Sequence, residues 1–277
     1  MAALVVCSLA AIALAPLAGR TVFRRRVARS VRTLLSMTMP PVGPQQLAAR
    51  WNSLPACVQR YLSFAIGEGA PAIRTVRLEH GGSFRPKPEQ RWLPIQGVEY
   101  FTAATPEFVW SATVRSGPLM WIDACDRLHQ GRGNMLVKLE SLFTIADARG
   151  PEIDQGASLR WLAEAIWFPY AFAGETIRWE PVSEESATAY LIQKGAPVAA
   201  TFAFDAEGRV ETICGERCRD TGGGKAVLTT WVGRCGEYRE FGRFRVPARV
   251  EVAWVMDGVE FAYARFDVTA IEYNVAG

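Results

Sequence analysis

The stretch that decides the fold is "WVMDGVEF", residues 254–261, in which apolar residues alternate into and out of an Asp-Gly pair. Asp257-Gly258 is the kind of two-residue sequence that favours a tight hairpin turn, because both positions tolerate positive φ. The simplest register places three apolar pairs opposite each other: Met256 with Val259, Trp254 with Phe261, and Val252 with Tyr263. The stretch therefore predicts an antiparallel hairpin with one continuous apolar face on a core.

The same period of two extends over most of the chain. From Ile73 onward, short runs rich in β-branched and aromatic residues alternate with turns, as in "FVWSATV" (108–114) and "AVLTTWVG" (226–233). About a dozen strands and three or four helices predict an α+β fold that is mainly antiparallel β. We expect a curved sheet or half-barrel capped by helices, with an N-terminal transmembrane or membrane-anchoring helix.

Two segments have a helical period instead. Residues 45–66 place apolar side chains at spacings of three and four, and Pro55 fits the first turn of a second helix there. Residues 157–168 form a helical interruption among the strands, followed by Pro169. The predicted organisation is a transmembrane or anchor segment at 1–19, a basic juxtamembrane linker at 20–44, and a helix plus antiparallel β half-barrel domain at 45–277.

The N-terminus predicts the membrane anchor. Met1 to Gly19 carry no charge and would span ~28 Å as a helix, close to the hydrocarbon thickness of a bilayer. A cluster of six arginines follows, comprising Arg20, Arg24, Arg25, Arg26, Arg29 and Arg32. The positive-inside rule predicts a single-pass protein of the inner (cytoplasmic) membrane with its globular domain on the cytoplasmic side. A periplasmic domain, a cleaved leader ending near "ALAPLAG", and an apolar helix packed on the domain are the alternatives.

Charge and motifs exclude several classes of function. The net charge is +3, yet residues 1–67 hold eight arginines and no acidic residue, so the rest of the chain is net acidic and does not suit a nucleic-acid partner. With two histidines and no HExxH, GxSxG or GxGxxG motif, neither a metal site nor a cofactor is expected. The six cysteines form no CxxC pair, which is typical of small buried apolar groups.

One helix carries the candidate chemistry. In "RWLAEAIWFPY" (160–170), Glu164 lies one turn from Arg160 and among Trp161, Trp167 and Phe168. The carboxyl can form a surface pair with Arg160, a buried pair with Arg160, or a buried unpaired acid whose pKa burial would raise. Because acid/base catalysis needs a second titratable group, the candidate catalytic residues are Glu164, Asp123 and His129.

Nine tryptophans are many for this length, and together they suit the lining of an apolar cavity. The predicted ligand-binding residues are Trp92, Tyr100, Phe101, Trp110, Trp121, Arg160, Trp161, Trp167, Trp231 and Trp254.

Several motifs resemble those of an uncharacterised bacterial membrane-tethered family. They are Trp92 and Pro94 in "W-x-P", Tyr100-Phe101, Asp123 with Gly131 and Gly133, and Arg160, Leu162, Glu164, Trp167 and Pro169 in "R-x-L-x-E-x-x-W-x-P". The resemblance covers roughly residues 50–275 and includes the late strand "GRFRVPARVEVAW". It implies no activity.

At the level of fold, the helix, long meander and capping helix are similar to the lipoprotein-carrier proteins of the Gram-negative envelope. The stretch "FAFDAEGRV" (202–210) looks like a hairpin of that group. This resemblance implies a half-barrel around an apolar cavity. Those carriers are soluble and periplasmic, whereas the N-terminus here predicts a tether.

The sequence thus favours a membrane-tethered protein that binds an apolar or lipid-like ligand in a half-barrel cavity. The expected partners are a membrane lipid or apolar small molecule, and an anionic membrane surface contacted by the cluster between Arg20 and Arg32. One alternative is an enzyme, such as a cyclase or isomerase, that uses Glu164 with Asp123 or His129. The other is a structural membrane-associated module, which would have a filled core.

Overall fold

The computed structural model describes residues 2–36, 39–117, 120–193, 197–222 and 225–276, with side chains outside that description at 2–14 and 222. The α-helices are α1 (Ala2–Leu35), α2 (Pro44–Arg50), α3 (Ala56–Ala65) and α4 (Pro151–Glu164), and short 3-10 helices cover Trp51–Ser53, Ala165–Trp167 and Pro169–Ala173. The first six strands are β1 (Thr75–Phe84), β2 (Leu93–Thr102), β3 (Glu107–Arg115), β4 (Trp121–His129), β5 (Arg132–Leu139) and β6 (Phe143–Ala148). The other strands are β7 (Ile177–Ser183), β8 (Ser186–Leu191), β9 (Val198–Phe204), β10 (Val210–Gly222), β11 (Lys225–Phe241), β12 (Phe244–Met256) and β13 (Val259–Tyr273).

All of these strands belong to one antiparallel sheet. Its order is β6-β5-β4-β3-β2-β1-β13-β12-β11-β10-β9-β8-β7, so two meanders meet where β1 pairs with β13. The sheet is curved but does not close, because β6 and β7 form its two edges. The predicted fold, mainly antiparallel β with helices, is confirmed.

The hairpin at residues 254–261 forms around the predicted turn. Asp257 and Gly258 both have positive φ, at 51° and 76°, and Trp254 lies opposite Phe261. The expected pairing of Val252 with Tyr263 is wrong, because a β-bulge shifts the register and Val252 lies opposite Ala264. A bulge adds one residue to one strand and so changes which side chains share a face beyond it.

Three helices and the larger of two hydrophobic cores lie on one side of the sheet, which we call the inner face. Helices α2, α3 and α4 pack there over fully buried rings, the largest being Trp161, Tyr61, Phe101, Phe108 and Phe168. Pro55 precedes α3 as predicted. Helix α4 begins at Pro151 rather than at 157, because Gly150, with a φ of 125°, ends the preceding strand and proline suits a helical first turn.

Helix α1 packs on the opposite side of the sheet, the outer face. Its Phe23 and Leu34 are buried against Val109, Cys125 and Leu136 of β3, β4 and β5. The part of the N-terminus expected to be a linker is therefore helical as far as Leu35.

The membrane prediction concerns the start of α1. Across the described part of the chain, no helix combines the length and the apolar character that a membrane crossing requires. The side chains of residues 1–14, which make up most of the predicted span 1–19, lie outside the described residues.

Candidate functional site

A buried ionic cluster joins α4 to the inner face of the sheet. Arg160 donates from Nη2 to Glu99 Oε2 at 2.8 Å, from Nη1 to Asp126 Oδ2 at 3.2 Å, and from Nε to Glu164 Oε1 at 2.9 Å. Glu99 comes from β2 and Asp126 from β4, while Arg160 and Glu164 are one turn apart on α4. We call these four residues the Arg160 cluster.

The Arg160 cluster is largely shielded from water. The side chain of Glu99 is 2% exposed and that of Arg160 is 14% exposed. The guanidinium also lies over the rings of Phe108 and Trp110, at 5.1 and 4.7 Å from their centroids. Such a cation–π arrangement is stronger where water is excluded.

The Arg160 cluster has more acid than base, since three carboxyl groups surround one guanidinium. One oxygen of each carboxyl, namely Glu99 Oε1, Asp126 Oδ1 and Glu164 Oε2, has no hydrogen-bond partner in the described part of the chain. Burying an unpaired charged oxygen is costly, and the usual response is that the group keeps its proton. At least one of the three carboxyls is therefore expected to be protonated.

The pKa shifts of the three carboxyls agree with this expectation, because all three are raised. Burial, and then the neighbouring Glu164 carboxylate, raise the pKa of Glu99 well above its usual range, although Arg160 opposes this. Burial also raises the pKa of Glu164 and of Asp126 against the attraction of Arg160. Because Glu99 and Glu164 are within hydrogen-bonding reach of each other, one proton shared by this pair would satisfy both carboxyls.

A neutral histidine lies beside the Arg160 cluster. Trp110 Nε1 donates to His80 Nε2 at 2.9 Å, and His80 Nδ1 lies 3.2 Å from the carbonyl oxygen of Gly81. Burial lowers the pKa of His80 to about 4, so the ring is neutral near pH 7. Since Nε2 accepts from the indole, Nδ1 carries the proton and donates to Gly81.

Sequence reasoning identified Arg160 and Glu164 but missed Glu99, Asp126 and His80. A signal for two of them was present in the strand period. Glu99 shares a face with Phe101, and Asp126 shares a face with Leu128, both of which are buried in the core. A carboxylate in register with core residues on a strand predicts a buried acid.

The three candidate catalytic residues do not come together. Asp123 lies on the outer face, where it accepts hydrogen bonds from Thr113 Oγ1 at 2.6 Å, from Trp121 Nε1 at 3.0 Å, and from Ser141 Oγ. Side chains three positions apart on a strand point to opposite faces, so Asp126, and not Asp123, reaches Arg160.

His129 lies at the end of β4 and is about half exposed. Its Nδ1 is 2.9 Å from Oε2 of the buried Glu107 on β3, so its titratable partner is Glu107 and not Glu164.

Four of the nine aromatic candidates, Trp110 among them, are packed between the helices and the sheet. Trp161 donates from Nε1 to the carbonyl of Thr102 at 3.1 Å, and Trp167 donates to the carbonyl of Pro247 at 3.0 Å. Phe101 packs 5.1 Å from Phe168. These rings fill the space between the helices and the inner face.

The other aromatic candidates are distributed over three places. Trp231 Nε1 donates to the hydroxyl of Tyr263 at 2.9 Å, and Trp254 stacks on the same tyrosine at 5.6 Å. Trp92 lies between the guanidinium groups of Arg85 and Arg265. Tyr100 and Trp121 contact residues of α1 on the outer face.

The outer face holds an open groove of about 1140 Å³ between α1 and the sheet. Its apolar lining consists of Phe23, Val27, Ala28, Val31 and Leu35 on α1, and Val98 and Ala112 on the strands. The sheet side of this groove, which we call the α1 groove, is largely polar and includes Tyr100, Glu79, Asp123 and Glu272.

Three arginines line the helix side of the α1 groove. Arg20, Arg24 and Arg32 form no ion pair with any residue in the described ranges. Arg77 on the opposite wall differs, because it pairs with Glu79 and Glu272 and also donates to the hydroxyl of Tyr100 at 3.1 Å. The helix side of the α1 groove therefore combines apolar side chains with three arginines that form no ion pair within the described ranges.

Neither region has the arrangement of a metal centre. Within the described residues, no group of three or more His, Cys, Asp or Glu side chains is placed so that it could hold a metal ion.

The fold and the two regions define a mainly antiparallel β protein with helices on both sides of one unclosed sheet. The chain belongs to DUF6544, a family of unknown function, whose match covers residues 45–266. The membership of an uncharacterised family that the motifs indicated is confirmed. No curated protein matches the chain significantly in sequence.

Several solved structures are similar to the chain at low sequence identity. A LolA superfamily protein from Nitrosomonas europaea has a TM-score of 0.39 at 9% identity and covers 80% of this chain and 94% of its own. A putative outer membrane lipoprotein-sorting protein domain from Vibrio parahaemolyticus has a TM-score of 0.40 at 8% identity, with 79% and 91% covered. A DUF1329 family protein from Desulfovibrio piger has a TM-score of 0.36 at 11% identity, with 79% and 92% covered.

Proposed function

We propose that this protein is a membrane-anchored binding protein for an anionic amphiphile, a molecule with an apolar tail and an acidic headgroup. The α1 groove is its binding site. The observation that carries the proposal is that Arg20, Arg24 and Arg32 lie among the apolar side chains of α1 that line the groove, without a carboxylate partner in the described part of the chain.

The size of the α1 groove supports a lipid-like ligand. Between Arg20 and Leu35 the helix rises ~22 Å, which is enough for an acyl chain that fills one leaflet of a bilayer with a core ~30 Å thick. The volume of about 1140 Å³ is slightly larger than that of most small-molecule sites, which are about 300–1,000 Å³.

The charge of the α1 groove supports an acidic headgroup. A guanidinium presents several donors in a fixed plane and binds carboxylates and phosphates in a bidentate manner. Leaving three such groups beside an apolar lining is unfavourable unless an anion or water accepts from them. An amphiphile with an acidic head satisfies both parts of the site.

The anchor is the uncharged stretch from Met1 to Gly19, which continues directly into the arginines of α1. The positive-inside rule favours a domain on the cytoplasmic side of the inner membrane. An alkaline phosphatase fused to the C-terminus should therefore be inactive, and an active fusion in the periplasm would refute this topology.

The binding proposal is tested by native mass spectrometry of the full chain with phosphatidylglycerol and with phosphatidylcholine of the same acyl chains. We expect preferential retention of phosphatidylglycerol. The double variant Arg24→Glu/Arg32→Glu should weaken that retention by about tenfold, equivalent to about 1.4 kcal/mol, because it reverses two groups that line the groove.

The matched control is Arg25→Glu/Arg29→Glu. It makes the same charge change at two exposed residues of the same helix. Neither of these two residues lines the α1 groove. Retention should stay within about twofold of wild type. Equal losses in the two double variants would mean that only the overall charge attracts the lipid, and the groove would not be the site.

Acid/base catalysis at the Arg160 cluster is the second candidate function. It is favoured by the contact between Glu99 and Glu164, two carboxyls whose pKa values burial raises. An apolar carbodiimide, which reacts with protonated carboxyls, tests whether a substrate reaches them. If added phosphatidylglycerol lowers the carbodiimide labelling of Glu164, the lipid reaches the Arg160 cluster, which catalysis there requires. Unchanged labelling would support binding in the α1 groove.

A further inference from the structure

Exposed apolar side chains concentrate where α1 passes the first edge of the sheet. Phe143 and Ile145 on β6 are 65% and 58% exposed, and Met120, directly before β4, is 52% exposed. On α1, Leu17 and Val22 are also exposed. Exposed apolar side chains usually mark a contact with a partner or a membrane where they form a continuous surface.

Short contacts bring together the segments that carry these five side chains, which we call the patch. A Cβ atom placed on Gly19 would lie 2.6 Å from Leu142 Cδ2 and 3.1 Å from the carbonyl oxygen of Ser141, so α1 passes directly beside the residues that precede β6. Glu140 donates from its backbone nitrogen to the carbonyl of Trp121 at 2.9 Å. This second contact brings the start of β4, and with it Met120, to the same place.

The position of β6 explains why the patch needs a cover. As an edge strand, β6 has one row of backbone donors and acceptors without a neighbouring strand. Folded proteins normally protect such an edge with charged side chains, a bulge or a covering element, because an exposed apolar edge pairs with other chains. Strand β6 has a bulge at Ile145 and a charged residue at Asp147, yet Phe143 and Ile145 still leave large apolar side chains exposed on this edge.

The chemistry around the patch is that of a membrane interface. The uncharged N-terminal stretch ends at Gly19, which contacts Leu142, and Arg20 follows with its guanidinium 5.5 Å from the centre of the Trp121 ring. Tryptophan and arginine are enriched at the level of the lipid headgroups, where an apolar body meets a polar layer. Arg24 and Arg25 add positive charge one turn further along the helix.

We propose that Met120, Phe143 and Ile145, together with Leu17 and Val22, form a membrane-contact surface that enters the interfacial layer of an anionic phospholipid bilayer. The α1 groove opens beside this surface, because Arg20 belongs to its lining. A lipid can therefore pass sideways from the bilayer into the groove without crossing water. This inference rests on the membrane anchorage proposed above.

The test uses the full chain in nanodiscs of phosphatidylglycerol and phosphatidylcholine that contain a phospholipid with a diazirine in its acyl chain. After photolysis, mass spectrometry locates the labelled peptides. Labelling should appear at residues 120–122 and 142–146 as well as in the N-terminal stretch. The peptide with Val227 and Leu228, which are exposed to a similar degree on β11, should stay unlabelled.

A pair of matched variants strengthens the test. Phe143→Asp/Ile145→Asp should lower labelling of Met120 and Trp121 at least fivefold, whereas Val227→Asp/Leu228→Asp should leave it unchanged. All four side chains are exposed, so neither change disturbs the core.

Co-elution with nanodiscs separates the proposed membrane anchorage from the proposed membrane-contact surface. A chain that co-elutes but is labelled only in the N-terminal stretch is anchored, and that result would overturn the contact surface alone. A chain that does not co-elute would overturn both the anchorage and the contact surface.

Discussion

Arginines on the two faces of the sheet have opposite surroundings. On the inner face, Arg160 is enclosed by three carboxyls and two aromatic rings. On the outer face, Arg24 and Arg32 line the α1 groove with no carboxylate partner in the described residues. The comparison separates a buried charge, whose partners the fold supplies, from exposed charges whose partner, in the function proposed above, is a bound anion.

Enclosure also explains why the inner face is a poor place for a ligand. The ring of Phe168 contacts those of Phe101 and Trp161 at centroid distances of 5.1 and 5.6 Å. Interiors packed in this way have almost the density of organic crystals and do not admit a lipid tail without rearrangement. The structural alternative considered for the sequence, a filled core, therefore describes the inner face, whereas the outer face has the open space.

The largest loss in free energy of unfolding is expected from Arg160→Met. Removing the guanidinium leaves three carboxyls without a cation, and breaking a buried ionic network by removing one partner costs about 3–5 kcal/mol. Urea unfolding followed by circular dichroism measures the loss. The matched control Arg234→Met breaks an exposed pair with Glu260 and should cost less than about 1 kcal/mol. Equal losses in the two variants would show that the Arg160 cluster is not enclosed.

A smaller change in the free energy of unfolding, with a defined pH dependence, is expected from Glu99→Gln. Because burial raises the folded-state pKa of Glu99 above its unfolded value, the folded chain binds this proton more tightly. The wild type should therefore lose stability relative to the variant as pH rises above about 4.3, by about 1.4 kcal/mol per pH unit, until the folded-state pKa is reached.

The measurement for Glu99→Gln is the difference in free energy of unfolding between the two proteins at pH 5, 6 and 7. Titrating groups outside the Arg160 cluster are common to both proteins and cancel in this difference, whereas Glu164, which shares its proton with Glu99, contributes to it. The difference should move steadily in favour of the variant. A difference that does not change with pH would mean that Glu99 keeps an ordinary pKa, contrary to the proton-sharing account.

Local features of the fold were predictable because local chemistry dictates them. The Asp257-Gly258 turn needs only two residues that tolerate positive φ, and it formed as expected. The bulge beside Val252 was not predictable, since an extra residue in one strand follows from the curvature of the whole sheet. The start of α4 at Pro151 was missed although Gly150-Pro151 followed by acidic residues is a helix signal.

The candidate sites were predictable only in part, for a physical reason. Helical spacing alone pairs Arg160 with Glu164, but Glu99 and Asp126 reach them from distant parts of the chain through the strand order. The α1 groove is harder still, because it arises from the way that one helix docks on a sheet. No residue pattern within 20–35 specifies the distance between α1 and β1.

The most direct test of the central claim compares one substitution on each face. Ala28 lines the α1 groove, so Ala28→Trp fills it, whereas Glu164→Gln changes only the inner face. Native mass spectrometry of the full chain then measures retained phosphatidylglycerol in both variants. We predict that Ala28→Trp loses the lipid and that Glu164→Gln retains it at the wild-type level. Loss of the lipid in Glu164→Gln, with retention in Ala28→Trp, would contradict the assignment of binding to the outer face.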